Sequence, residues 1–198
     1  MTKLKRDSLD WYLDYHMHLE SRTIYIGDST GEGKADIDSK TAEMAIKALH
    51  LLSASAPDKP IRIILCSFGG CVYSGLAIYD AIRSCPNYVT IEVMGAAMSI
   101  ASIILQAGDH RILHPNATIM IHDGYDSASD LIPRSIESQA AYGKILRKKF
   151  YEIYASRSQE KPSYFEKACA ADTYYTAEQA LEKGLSDEII QQPKRPTA

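Results

Sequence analysis

Residues 88–107 read YVTIEVMGAAMSIASIILQA, and the fold turns on how this stretch divides. Tyr88–Val93 is apolar and β-branched, with the length of a strand. Gly95–Ala107 then reads as a helix entered through small residues and closed by Gly108. The same order recurs upstream. Ile61–Cys66 (IRIILC) is a near-continuous apolar run, which predicts a strand covered on both faces. Phe68-Gly69-Gly70 is a turn, and Val72–Ser84 is a helix that stops at Pro86. Further out, Arg22–Ile26 is strand-like and ends at Gly27. Gly27–Lys34 is a polar loop, and Ile37–Ser55 has helical spacing through Ala42, Ile46, Leu49 and Leu52, with Asp38 or Ser39 as cap. Downstream, Arg111–Leu113 and Ala117–Ile121 read as a short strand pair. Strands alternating with helices predict an α/β fold with a largely parallel sheet and right-handed crossovers.

Ser135–Tyr154 stands apart from this alternation. It is long, and Ile136, Ala140, Gly143, Leu146, Phe150 and Ile153 form one apolar stripe. Periodicity leaves open whether the stripe covers the chain's own sheet or projects toward another subunit. The 198 residues suit one domain. The N-terminal stretch to Glu20 is charged and amphipathic, unlike a secretory signal. The tail 191–198 (QQPKRPTA) has nothing to bury and is expected to be mobile.

Composition excludes several classes of function. A net charge of −3 and the lack of a basic stripe argue against nucleic acid. No apolar run approaches the ~20 residues that span a bilayer. Cys66, Cys71, Cys85 and Cys169 have no C-x-x-C spacing and read as reduced, mostly buried thiols, which suits a cytoplasmic protein. No metal site or cofactor is expected. Gly33-Lys34 fails as a phosphate loop, because Asp28 and Ala35 occupy positions that need Gly and Ser or Thr. His16-x-His18 reads as two surface residues of a helix, and Arg147-Lys148-Lys149 as a solvated helix face.

Three segments bear chemistry. Ser99 follows a strand at its turn into a helix, where backbone N–H groups and the helix dipole favour an oxyanion. Gly69-Gly70 follows the previous strand and frees its backbone to present N–H groups. His122 leaves Ala117–Ile121 in Met-Ile-His-Asp-Gly. Each alone has a bland reading: a packed small-residue helix, a tight turn, a polar residue leaving a strand. Together they lie past the C-terminal ends of predicted strands, where open parallel sheets build sites, and they are the parts of an acyl-transfer centre.

In order and spacing these segments resemble the proteolytic subunit of the Clp peptidases. Ser67–Gly70 matches the family's Ser-Pro-Gly-Gly turn, and Ala77-Ile78-Tyr79-Asp80 matches the helix that follows. Met94–Ser99 matches Met-Gly-x-Ala-x-Ser, and Met120-Ile121-His122 matches Met-Ile-His. Thr176-Ala177, Ala180 and Gly184-Leu185 match the pattern that follows the family's acid, which puts that acid at Asp172. The resemblance runs from about Arg22 to Ile190. It implies a ClpP/crotonase-like fold with a protruding handle over 123–160. It also implies a serine endopeptidase with the triad Ser99, His122 and Asp172, and oxyanion N–H groups from Gly70 and Ile100. An extended polypeptide would be clamped by Ser67, Phe68, Gly69, Gly70, Cys71, Asp123 and Gly124. Stacked heptameric rings and an AAA+ ATPase unfoldase are the implied partners.

The chain departs from the family in several places. Phe68 replaces the usual Pro, and Thr173 replaces the usual Arg after the acid. The axial-loop sequence is not recognisable in Met1–Glu20, and the loop Gly27–Asp36 is longer and more polar than usual. The aromatic ATPase-docking positions align with Arg62, Ile64 and Ser84, where an apolar anchor would meet an unpaired charge and a hydroxyl. Three alternatives follow: a dedicated processing peptidase, for a viral capsid or scaffold, that works without an unfoldase; a non-enzymatic ring-building paralogue; and a crotonase-type acyl-CoA enzyme on the same core.

Overall fold

A computed structural model describes residues 16–27, 37–124 and 133–191. The N-terminal segment before His16, most of the polar loop after Gly27, and the tail after Gln191 lie outside these described residues. The strands are β1 Met17–His18, β2 Thr23–Gly27, β3 Ile61–Ser67, β4 Val89–Met98, β5 His110–Leu113, β6 Thr118–Ile121, β7 Thr173–Tyr175 and β8 Glu188–Ile189. The helices are α1 Ser39–Ser55, α2 Val72–Ser84, α3 Ile100–Leu105, α4 Pro133–Ser156, α5 Pro162–Cys169 and α6 Ala177–Glu182. The expected α/β class is borne out. The sheet is mixed, in the order β1-β2-β3-β4-β5-β8, with β6 and β7 branching from β4. Its central pairs are parallel, while β1 pairs with β2 and β7 with β6 antiparallel.

Alternation along β3 sends Ile61, Ile63 and Leu65 into the core, with Arg62 and Cys66 exposed on the other face. The strand is therefore covered on one face only, which corrects the expectation of a doubly covered run. On the covered face α1 packs through Ala42, Ala45, Ala48, Leu49 and Leu52, and α2 through Gly75, Ile78 and Ile82. Ile46 is only half-buried, so the face of α1 is rotated from the expected one. Asp38 caps α1, its carboxylate accepting from the Thr41 N–H at 2.8 Å.

The largest departure is in β4. The strand does not stop at Val93 but runs through Gly95-Ala96-Ala97 to Met98. Gly95 has φ +91, and the register with β3 slips there, from Leu65↔Val93 to Ser67↔Ala97. This bulge lets one strand serve two neighbours. Thr90–Val93 pairs with β5, while Ala96–Met98 pairs with β6. The two short strands expected to pair with each other thus both pair with β4. The helix that follows is only α3, six residues long and entirely buried. The small residues that read as a helix entrance are the strand's last turn outward.

Other corrections are local. His16 and His18 flank and end a short strand rather than a helix, and Met17 between them is buried. All four cysteines are free, but Cys66 and Cys71 are exposed and Cys85 half-buried. Only Cys169 is buried, and burial pushes its thiol up to about 12. Helix α4 divides the two readings of its stripe. Along the stripe Ile153 is buried and Gly143, Leu146 and Phe150 are half-buried, whereas Ile136 and Ala140 are exposed; beside it Tyr151 and Tyr154 are buried and Tyr142 and Ile145 exposed. Among the described residues, no helix is long and apolar enough to cross a membrane.

Candidate active site

Ser99 lies between the end of β4 and the start of α3, with φ 53 and ψ −129. That left-handed backbone is unusual for a residue with a Cβ. It is fixed from both sides. The Ser99 N–H donates to the Met120 carbonyl at the end of β6, at 2.9 Å. The Ser99 carbonyl accepts from the Ser102 N–H at 3.0 Å and from the Ser102 hydroxyl at 2.6 Å. The Tyr154 hydroxyl lies 2.6 Å from Ser102 Oγ, which extends the chain of hydrogen bonds into α4.

His122 emerges one residue past β6, beside Ser99. Its Nε2 is 2.7 Å from Ser99 Oγ, and its Nδ1 is 3.1 Å from Asp172 Oδ1. Strand pairing delivers the carboxylate. β7 runs antiparallel to β6 with Ile121 opposite Thr173, so the next residues outward, His122 and Asp172, stand opposite each other. The Asp123 N–H donates to the Cys169 carbonyl at 2.8 Å and fixes the connection below. The His122 side chain is largely covered and Asp172 is partly open to solvent.

The Gly69-Gly70 turn presses on the serine from the other side. A Cβ on Gly69, which has φ +108, would stand 2.7 Å from Ser99 Cβ and 3.0 Å from the Met98 carbonyl oxygen. Gly70 forms a parallel bridge with Ile37, in which Ile37 N–H donates to the Gly69 carbonyl and Cys71 N–H to the Ile37 carbonyl. Those bonds flank Gly70, so its own N–H is directed to the opposite side of the turn. The Ile100 N–H opens α3, where first-turn donors have no intrahelical acceptor. A helix of six residues contributes these individual N–H groups rather than the long dipole expected from a helix starting at Gly95.

The remaining predicted contacts divide. Phe68, Gly70, Cys71 and Gly124 are exposed near the serine. Ser67 is fully buried, and its hydroxyl accepts from the Gly69 N–H at 3.0 Å, so its side chain shapes the turn rather than facing a groove. The Asp123 carboxylate accepts from the Tyr151 hydroxyl and lies 3.9 Å from Arg147, tying the segment after His122 to α4. Thr173, where the family has Arg, turns its hydroxyl to the Ala168 carbonyl at 2.7 Å. Arg62 is not unpaired: it binds Glu92, whose other oxygen is 2.6 Å from His114 Nε2. Burial alone would raise Glu92, but its hydrogen bonds with His114 and Arg62 outweigh this and hold the carboxyl below its ordinary range.

Ser102 and Tyr154 were not legible as site residues. Ser102 sits one helical turn after Ser99, a spacing that permits a bond to the Ser99 carbonyl. Tyr154 hid behind the apolar stripe of its helix.

The sequence profile of the Clp protease family matches residues 5–193. ATP-dependent Clp protease proteolytic subunit 1 of Protochlamydia amoebophila is 36% identical, over 88% of this chain and 83% of the relative. The ATP-dependent Clp protease proteolytic subunit of Deinococcus radiodurans is 32% identical, over 91% of this chain and 85% of the relative.

Proposed function

The chain belongs to the Clp protease family and is a serine-type endopeptidase, and from that premise we propose that Ser99, His122 and Asp172 form its catalytic triad inside an oligomeric chamber. The observation that carries the reading is the chain of contacts from Ser99 Oγ to His122 Nε2 at 2.7 Å and from His122 Nδ1 to Asp172 at 3.1 Å. Neutral His122 accepts the Ser99 proton at Nε2 as Oγ attacks a peptide carbonyl. Asp172 holds Nδ1–H and so keeps Nε2 free to accept, and it stabilises the imidazolium that forms. The Gly70 and Ile100 N–H groups receive the oxyanion. His122 then returns the proton to the leaving amine as the C–N bond breaks, and water hydrolyses the Ser99 ester by the same route. The substrate is an extended polypeptide, lying along the exposed edge of Phe68–Cys71 and the residues after His122.

The test is Ser99→Ala. The hydroxyl is small and no cavity is left, so the variant keeps its fold and assembly. Hydrolysis of short peptides falls by roughly 10³-fold or more, and a fluorophosphonate labels the parent at Ser99 but not the variant. Undiminished turnover by the variant would refute the assignment.

One observation favours a second reading, in which the peptidase works without a standard unfoldase. At the aligned docking positions Arg62 on β3 is part of an ionic network with Glu92 on β4 and His114 just past β5. An apolar anchor seated there would cover satisfied charges rather than aromatic walls, and would gain little by doing so.

A further inference from the structure

One peptide unit joins the nucleophile to the proposed oxyanion hole. It runs from the Ser99 carbonyl to the Ile100 N–H. A trans peptide is planar, so these two groups point in opposite directions and turn together. Whatever fixes the Ser99 carbonyl therefore aims the Ile100 N–H. Ser102 fixes it twice, donating from its N–H at 3.0 Å and from its hydroxyl at 2.6 Å. Behind Ser102 stands Tyr154, with its hydroxyl 2.6 Å from Ser102 Oγ. The order of donation follows from the chemistry. A carbonyl only accepts, so the single Ser102 hydroxyl proton goes to Ser99, and the Tyr154 hydroxyl donates to Ser102.

This line of hydrogen bonds is rigid. Ser102 and Tyr154 are both buried, and the Tyr154 ring packs on Phe165 with centroids 5.3 Å apart. Burial pushes the Tyr154 phenol far above its ordinary range, so it keeps the proton that it donates. The peptide needs the hold. At positive φ a residue with a Cβ is accommodated best at ψ of about +30 to +60, whereas Ser99 stands at φ 53 and ψ −129. The backbone's own preference works to rotate the peptide, and the bonds to its carbonyl oppose that rotation. Donors on the carbonyl also polarise the peptide and strengthen the N–H at its other end.

We propose that Ser102 and Tyr154 are positioning residues acting in series, Tyr154 through Ser102 and Ser102 through the Ser99 carbonyl, to aim the Ile100 N–H at the oxyanion. The inference rests on the proposed serine-peptidase reading of the same site. The experiment measures peptide hydrolysis by Ser102→Ala, Tyr154→Phe and the double variant, with each rate divided by the number of sites that a fluorophosphonate titrates. Each single substitution removes one oxygen and nothing else. Removing an oxyanion donor outright costs about 10²–10³ in kcat. A misaimed donor costs less, so kcat per titrated site falls about 10- to 100-fold in Ser102→Ala, with KM unchanged. The Ki of a peptide aldehyde, whose hemiacetal oxygen takes the oxyanion position, rises by the factor by which kcat/KM falls. Tyr154→Phe shows a smaller loss of the same kind. That loss disappears in the Ser102→Ala background, because the phenol acts only through Ser102. A role in folding alone lowers Tm and the number of titrated sites but leaves each site at the parent kcat, and that result overturns the inference. So does a loss confined to KM, or a double variant in which the two effects simply add. In each of these cases the parent still takes the label at Ser99, and the proposed function stands. A parent that takes no label at Ser99 overturns the proposed function and this inference with it. If Ser102→Ala does not fold, Tyr154→Phe, which keeps the ring in place, decides the matter by the same kcat, KM and Ki readouts.

Discussion

Ser99 holds φ 53, a conformation that costs of order 1–3 kcal/mol for a residue with a Cβ. The surroundings over-determine it: the Met120 carbonyl takes its N–H, Ser102 donates twice to its carbonyl, and Gly69 leaves room for its Cβ. Gly69→Ala tests this balance. The new methyl group would meet Ser99 Cβ and the Met98 carbonyl at an already positive φ, so the turn or the serine must move. A displacement of the nucleophile approaching 1 Å costs about 100-fold in rate. The expected result is a loss of peptide turnover on that scale, with Tm lowered in the same sample. Turnover equal to the parent would show that the contact between Gly69 and Ser99 does not position the nucleophile. At this scale the sequence was informative wherever the residue type itself carries the chemistry, as for Ser99 and His122. It was silent where a common residue acts through contacts formed only on folding, as Ser102 and Tyr154 do.

Elements place these residues through register. The bulge at Gly95 lets β4 pair with β5 and then β6, which sets Ser99 beside the end of β6, and the β6–β7 pairing sets Asp172 opposite His122. The C-terminal elements are fastened by a buried cation. Arg111 on β5 is 1% exposed and binds Asp187 just before β8, the Gly184 carbonyl and Gln106. Burial pushes Asp187 upward, but Arg111, then Arg157, outweigh it and hold the carboxyl below its ordinary range. A depressed folded value means that the pair's contribution is present above the ordinary carboxylate range, near pH 4, and is lost as pH falls through and below it. Asp187→Asn leaves the Arg111 charge buried without its carboxylate, at a cost of about 3 kcal/mol at neutral pH. Denaturant unfolding of parent and variant from pH 7 to pH 3 should give stability curves that converge toward acid. A gap independent of pH would refute the linkage. The succession of strands and helices over 61–121 was legible because apolar runs mark the strands, but the pairing of β5 and β6 was not, since both pair with β4. The bulge was not, since Gly-Ala-Ala-Met suits a helix entrance as well as a strand end. Nor were β7, β8 and α5, which are two to eight residues long. Only tertiary pairing stabilises strands of that length, although Pro162 at the first helical position was a usable start signal for α5.

At the scale of the whole molecule, the surface this chain leaves open argues for association. Ile136, Tyr142 and Ile145 lie exposed along α4, while Tyr151, Ile153 and Tyr154 near its C-terminus are buried, so the helix is anchored at its C-terminal end and leaves apolar side chains open before it. In a monomer these side chains would remain partly in water, whereas covering each in a subunit contact contributes on the order of 1 kcal/mol. Membership of the Clp protease family gives the same expectation, that α4 meets its counterparts in a multimer built of rings. Sedimentation should therefore give a multiple of the single-chain mass. Ile145→Glu, which sets a carboxylate in the contact, should shift the population to smaller species and reduce turnover with it. A second arm of the measurement adds a Clp-type ATPase with ATP. Because Arg62, Glu92 and His114 satisfy one another where an apolar anchor would have to seat, the mass should not rise, and a tagged folded substrate should survive while short peptides are cut. A parent that sediments as one chain at full turnover, or an Ile145→Glu variant of unchanged mass, contradicts the role given to α4. Co-sedimentation with the ATPase and degradation of the folded substrate would mean instead that the anchor avoids the ionic network, and that the apolar residues of the open sheet face, Ile64 among them, receive it.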